Sequence, residues 1–223
     1  MVRHNNIVKL NMNDDKRTAP LKEWNKLARE NTENAIVSSM CEAAAGSSST
    51  IEQFSTWLLV GTAAVASFYI SNADKLVTFI SKTGFSVCGA FICASCIAGL
   101  ASKIYALRCK VGIEMNTAVK QTFSDHLNKY KEEENKIKEG AEFWGISLDT
   151  GIRIERVLSE FYATQPKYIV WIAKRILKKY KGNPQIAYIP IMNTLNKQGI
   201  FSFFQSLLFL GFLISGFIFA SII

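Results

Sequence analysis

The sequence predicts an all-α integral membrane protein, with three transmembrane helices and a helical cytoplasmic domain between the second and the third. Three observations carry this reading. First, charge is missing from three long runs: residues 53–73, 83–102 and 198–223 contain no Asp, Glu, Lys or Arg over 21, 20 and 26 residues. About 20 apolar helical residues suffice to cross bilayer hydrocarbon. Second, the apolar content of 49% is gathered into these runs, which argues against an ordinary soluble enzyme. Third, cations are placed unevenly. Residues 103–197 hold seventeen Lys/Arg against ten Asp/Glu, while 1–52 hold seven of each and 74–82 hold two against one. Cytoplasmic flanks keep Lys and Arg during insertion. The expected order is therefore a cytoplasmic helical segment over 1–50, a first span over 53–73, a short outside connection, a second span over 83–102, a basic cytoplasmic domain over 103–197 and a third span over 200–223 that ends outside. The first run is the most dilute, with Thr62, Ser67 and Ser71 among its alanines, so a reading in which one run is an interfacial or buried helix stays open.

The elements follow in chain order. The first 20 residues, with Asn5, Asn6, Asn11, Asn13, Asp14 and Asp15, contain no apolar core of a cleavable signal peptide. From Asp15 to Met40, Leu21, Trp24, Leu27, Ala28, Ile36 and Val37 stand among charged residues and predict an amphipathic helix. The small residues at 43–49 (AAAGSSS) form either a flexible hinge or a closely packed helical turn before the membrane.

Within the spans, Gly61, Ala63 and Ser67, then Gly89, Ala90, Ala94, Ser95, Gly99 and Ser102, recur as small residues, with Ala63 to Ser67, Ala90 to Ala94 and Ser95 to Gly99 each four apart. Such spacing lets helix backbones approach where lipid supplies no hydrophobic drive, so these positions are the expected contacts of a tight hairpin. The third span differs. Its phenylalanines, from Phe201 to Phe219, suit lipid, while Gln205, Ser206, Gly211 and Ser215 mark a narrower face toward other helices.

Behind the second span, Val111, Met115, Val119, Phe123, Leu127 and Tyr130, then Ile137, Ala141 and Trp144, are mostly three or four residues apart. This predicts a long helix with one apolar stripe, a seam on which a homo-oligomer can form, with Glu134 and Gly140 interrupting it. A shorter helix near Asp149 or Thr150 presents Ile154, Val157, Leu158 and Phe161. Another opens at Pro166 and is stopped by Gly182. It sets Trp171 and Ile172 beside Lys174, Arg175, Lys178 and Lys179, the composition of a helix that binds membrane lipids at an anionic surface or a partner. Contact with nucleic-acid phosphates, or a core helix with a solvated basic face, fits the same residues.

Catalytic chemistry finds no foothold. With only His4 and His126, no site built on several histidines is expected, and no phosphate-binding glycine loop is present. Ser124, Asp125 and His126 are triad residue types, but consecutive helical positions point about 100° apart and cannot form the relay. Cys93 and Cys96 lie inside an apolar run and read as small packing residues. The expectation is no enzyme, no metal and no cofactor. Two functions remain: an oligomeric effector that permeabilises the bilayer on a signal received by its cytoplasmic part, and a non-toxic anchor or adaptor that recruits a cytoplasmic partner.

The opening of the first span, residues 54–64 (FSTWLLVGTAA) with Ile70, Ser71 and Asn72, resembles that of small membrane proteins encoded beside bacterial anti-phage systems. These include retron and nucleotide-signalling effectors. The approach to the last span, residues 196–200 (NKQGI), is similar to theirs as well. The resemblance implies a toxic protein of the bacterial inner membrane, held silent by a partner. In a retron that partner is a reverse transcriptase bound to its multicopy DNA–RNA; another defence-system protein fills the role elsewhere. No individual functional residue is carried over.

Overall fold

Helix-forming residues run on without proline between Lys82 and Gln165, and the chain uses them in long helices. The computed structural model describes residues 18–153, 156–157 and 159–222, and every regular element among them is a helix. In order they are α1 (Val2–Gly46), α2 (Ser48–Ser71), α3 (Ala73–Phe143), α4 (Ile154–Ala163), α5 (Lys167–Lys179) and α6 (Ile189–Ser221). The α1–α2 stretch, α3 and α6 are each long and apolar enough to cross a membrane. His4, the polar start of the chain, Ile154, Leu158 and Ile223 lie outside the described residues.

The boundaries have local causes. At residues 43–49 the chain makes a packed helical turn: Ser47 keeps near-helical angles (φ −65°, ψ −15°), and Ala45 and Ser48 on either side of it are buried. Between α2 and α3 only Asn72 departs from helix. A true break falls at Ser81, inside α3, where φ 65° and ψ 163° is backbone that side chains other than glycine adopt at a cost of about 1–3 kcal/mol. The Ser81 hydroxyl accepts the Gly84 backbone N–H at 3.3 Å, capping the long helix that follows.

From there α3 continues unbroken to Phe143. The sequence reading places a span and a separate cytoplasmic helix here; the intervening residues 103–110 (KIYALRCK) contain no breaker, so a single helix runs through both stretches. Its end is a Schellman turn at Gly145 (φ 64°), with Gly145 N–H on the Glu142 carbonyl and Ile146 N–H on the Ala141 carbonyl. The chain then folds back, and the Thr150 carbonyl accepts the Tyr130 hydroxyl while the Thr150 hydroxyl donates to Glu134 at 2.7 Å. Glu134 thus has a structural partner on the stripe it interrupts. Helix α6 begins at Ile189, ahead of the charge-free run, with Pro190 in its first turn.

Helices α2 and α6 run parallel, and α3 runs antiparallel to both. Ser48 and Ser55 meet Gln198 and Gln205 in ascending order, while Ser102 and Ser95 meet them in descending order. Helix α1 and the N-terminal end of α6 close the polar end of this bundle around Ala45, Cys109, Tyr188 and Ile191. No residue of α5 is buried.

Candidate functional site

The bundle interior is assembled at seven-residue steps. On α2 the buried residues are Ser48, Ser55, Thr62 and Tyr69. On α3 they include Cys88, Ser95, Ser102 and Cys109, and on α6 Ile191, Gln198 and Gln205. A seven-residue period keeps one face of each helix toward a shared axis, as in a left-handed coiled coil.

Two consecutive levels are polar and built alike. In the first, the Ser48 hydroxyl donates to Gln198 Oε1 at 2.6 Å, Gln198 Nε2 donates to the Ser48 carbonyl at 2.8 Å, and the Ser102 hydroxyl donates to the Gln198 carbonyl at 3.2 Å. The second, roughly 10 Å along the axis, repeats the pattern. The Ser55 hydroxyl donates to Gln205 Oε1 at 2.6 Å, Gln205 Nε2 donates to the Ser55 carbonyl at 3.2 Å, and the Ser95 hydroxyl donates to the Gln205 carbonyl at 2.9 Å. Both glutamines and three of these serines, Ser55, Ser95 and Ser102, are fully buried. No described buried side-chain polar atom lacks a partner. Each interhelical bond of this kind contributes about 0.6–2 kcal/mol in a membrane.

Farther from the polar end the axis turns apolar. Tyr69 stacks on Phe85 at 4.5 Å and meets the edge of Phe212 at 6.2 Å, and its hydroxyl donates to the Phe85 carbonyl at 2.6 Å. Glycines admit the large groups. A Cβ at Gly99 would lie 2.6 Å from Gln205 Nε2, one at Gly84 would lie 2.7 Å from Phe219, and one at Gly211 would lie 2.9 Å from Phe91.

The expected small packing residues scatter around this axis. Gly99 is buried against Gln205, Gly89 is half-buried with the Tyr69 ring 3.7 Å from its missing Cβ, and Ala94 is half-buried. Gly61, Ala63, Ser67 and Ala90 are exposed on the three-helix bundle. The bonded residues on the axis are Ser48, Ser55, Ser95, Ser102, Gln198 and Gln205; four-residue spacing brings out Ser95 but passes over Ser48, Ser55 and Gln198, whose signal is that each pair of like residues is seven apart. Gln205 stands on the face of the third span expected to meet other helices, and Ser95 and Ser102 are among the small residues expected in the hairpin.

At the polar end a second cluster ties three helices together. Lys120 donates to Glu42 at 2.8 Å and contacts the Tyr188 hydroxyl, which also binds Glu42. Lys120 and Tyr188 together hold the Glu42 carboxyl below its ordinary value, and Glu42 and Tyr188 hold the Lys120 ammonium above its own. Gln185 bridges to α1 beside it, through Ser38 and the Asn34 carbonyl. On α5, Trp171, Ile172, Lys174, Arg175, Lys178 and Lys179 are all exposed, with the Arg175 guanidinium 5.4 Å from the centre of the Trp171 ring. The stripe of α3 is exposed at Val111, Met115, Val119, Phe123 and Leu127. Among the described residues no group of three or more His, Cys, Asp or Glu is gathered to hold a metal, and all five cysteines are free thiols.

Fold and site together define an all-helical chain, among the described residues, whose three long apolar helices are compatible with a membrane location. No protein-family model, curated protein or solved structure matches it.

Proposed function

We propose that the protein is a membrane-embedded effector that permeabilises the bacterial inner membrane when triggered, in the setting of anti-phage defence. The observation that carries this reading is the pair of stacked Gln–Ser levels, one at the mouth of the spans and one within them. Hydrocarbon offers such groups no partner, so in the closed chain they pair with one another. Moving α6 away from α2 and α3 exposes them, and they then line a polar path or pair with the same levels of a second copy. The three runs contain no Asp, Glu, Lys, Arg or His, which fits a passive lesion better than a proton-coupled carrier. Action without catalysis is part of the same reading.

Three short spans enclose no water-filled pore by themselves, so the lesion is built by a homo-oligomer, for which the exposed stripe of α3 supplies a seam. The N-terminus and the basic stretch 103–197 face the cytoplasm and the C-terminus faces the periplasm. The trigger is release from a cytoplasmic partner: a reverse transcriptase with its multicopy DNA–RNA, or another defence protein. A second reading, a non-toxic anchor that recruits such a partner, draws support from α5, none of whose residues is buried.

Membrane-potential dyes during expression of the chain alone, and then with its genomic neighbours, separate the two. The effector predicts depolarisation and growth arrest that the neighbours suppress. Unchanged potential at high, membrane-inserted expression, with and without the trigger, sinks it in favour of the anchor.

A further inference from the structure

After Glu160 the chain contains no acidic residue, yet it holds seven Lys/Arg, at 167, 174, 175, 178, 179, 181 and 197. No ion pair between described residues engages any of them. Three of the seven converge. The end of α5 and the first turns of α6 enclose a cleft of about 310 Å³ lined by Arg175, Lys179 and Lys197, with Tyr180, Asn193 and Thr194 between them. That volume lies at the lower end of ligand clefts.

Each of the three cations rests on an aromatic ring. Arg175 lies 5.4 Å from the centre of Trp171, Lys179 lies 5.1 Å from that of Tyr180, and Lys197 lies 5.7 Å from that of Tyr105. A ring face orients a cation without cancelling its charge. The cleft therefore presents three oriented positive charges, an amide donor on Asn193 and no carboxylate. Its depth narrows the anion further. Lys197 is the last charge before 26 residues without one, so the cleft opens where hydrocarbon gives way to headgroups, and Ile176 and Ile189 in its wall are apolar.

The geometry points to a binding site for the headgroup phosphate of an anionic phospholipid, clasped between α5 and α6 by Arg175, Lys179 and Lys197. Basic pockets beside spans on the cytoplasmic face recognise headgroups in this way. The site goes beyond the effector reading and holds whether or not the spans open. It also gives α5 a packing partner that the chain does not supply: the lipid itself.

The test uses the full chain in phosphatidylcholine nanodiscs doped with phosphatidylglycerol, with native mass spectrometry counting the phospholipid retained. Phosphatidylglycerol should be retained in preference to phosphatidylcholine. The triple change Arg175→Gln, Lys179→Gln, Lys197→Gln should weaken that retention at least roughly tenfold. A control triple of equal charge, Lys110→Gln, Lys167→Gln, Lys181→Gln, should weaken it less than about twofold, since diffuse attraction changes little with one site intact. Equal losses in the two triples would reduce the cleft to general electrostatics and overturn the site. So would inorganic phosphate, or a single-stranded oligonucleotide, binding in pure phosphatidylcholine discs as tightly as phosphatidylglycerol and with the same dependence on the first triple. If the first triple melts early, Lys197→Gln alone decides, with a loss of roughly fivefold expected and no loss counting against the site.

Discussion

The α2–α3–α6 bundle and the helix α5 arrange their polar and apolar residues in opposite ways. In the bundle Ser48, Ser55, Ser95, Ser102, Gln198 and Gln205 face inward and are buried, while Trp57, Phe68, Phe203 and Phe217 face outward. In α5 a basic face stands beside Ile169, Ile172 and Leu177, and neither side is covered. The first pattern is compatible with lipid, where apolar side chains lose nothing by facing hydrocarbon and polar ones lose their partners. Water makes the second unfinished, since an exposed apolar face marks a surface still to be occupied. Hydrophobicity therefore marks the outside of one region and the binding face of the other.

The comparison is broken most severely at Gly99. Gly99→Leu should destabilise the bundle by about 3 kcal/mol or more, through overpacking and loss of the Gln205 pairings, whereas Gly61→Leu, with nothing within 4 Å of its Cβ position, should change it by less than about 0.5 kcal/mol. Unfolding in detergent followed by circular dichroism gives both numbers. Equal costs would place the packing axis elsewhere.

Next come the polar levels themselves. Gln205→Leu keeps the volume but removes both side-chain bonds to Ser55, so a loss of about 1–3 kcal/mol is expected, with Gln198→Leu similar. A gain in stability would mean that the levels are retained for function at the expense of packing.

A smaller effect belongs to the Glu42–Lys120 pair, which is half exposed. Glu42→Gln should cost under about 1 kcal/mol and matter less at high salt. Because the folded carboxyl titrates below its ordinary 4.5, its contribution is present above that value and fades as pH falls through the lowered one. The ammonium titrates above its ordinary 10.5, so its contribution is present below that value and fades as pH rises through the raised one. Stability measured from pH 6 to 9 should therefore show no step from this pair; a step there would assign the junction to other groups. Smallest of all, Val119→Ser on the exposed stripe of α3 should leave monomer stability within about 0.5 kcal/mol while lowering the oligomeric fraction in light scattering. An unchanged fraction would remove the stripe from the seam.

Helical content and the three membrane-compatible segments were legible because charge-free runs and the spacing of apolar residues are written locally. The axis was legible in part, at Gln205, Gly99, Ser95 and Ser102, whereas Ser48, Ser55 and Gln198 were not singled out. Small residues four apart are a strong prompt for close packing, but Ala63, Ser67 and Ala90 in this chain are exposed, and the bonded residues are serines and glutamines whose partners lie about 150 positions away on another helix. Pairing across such distances depends on which helix lies beside which, and a single helix carries no record of that. The turn at Ser47 was similarly undecided in the sequence, since small residues permit both a hinge and a packed turn, and the burial of Ala45 and Ser48 against α3 and α6 selects the turn.

The uninterrupted passage of α3 from Lys82 to Phe143 makes it a lever with its fulcrum in the polar levels. From Ser102 to Phe143 the arm measures roughly 60 Å, so one degree of rotation about the levels moves the far tip by about 1 Å. Read in the other direction, a partner that grips the tip and shifts it by the width of a side chain turns the helix by only a few degrees where Ser95 and Ser102 hold α6. Hydrogen bonds are steeply sensitive to angles and distances of that order. A rod of this length lets a weak, distant grip act with mechanical advantage on the buried bonds that hold α3 to α6.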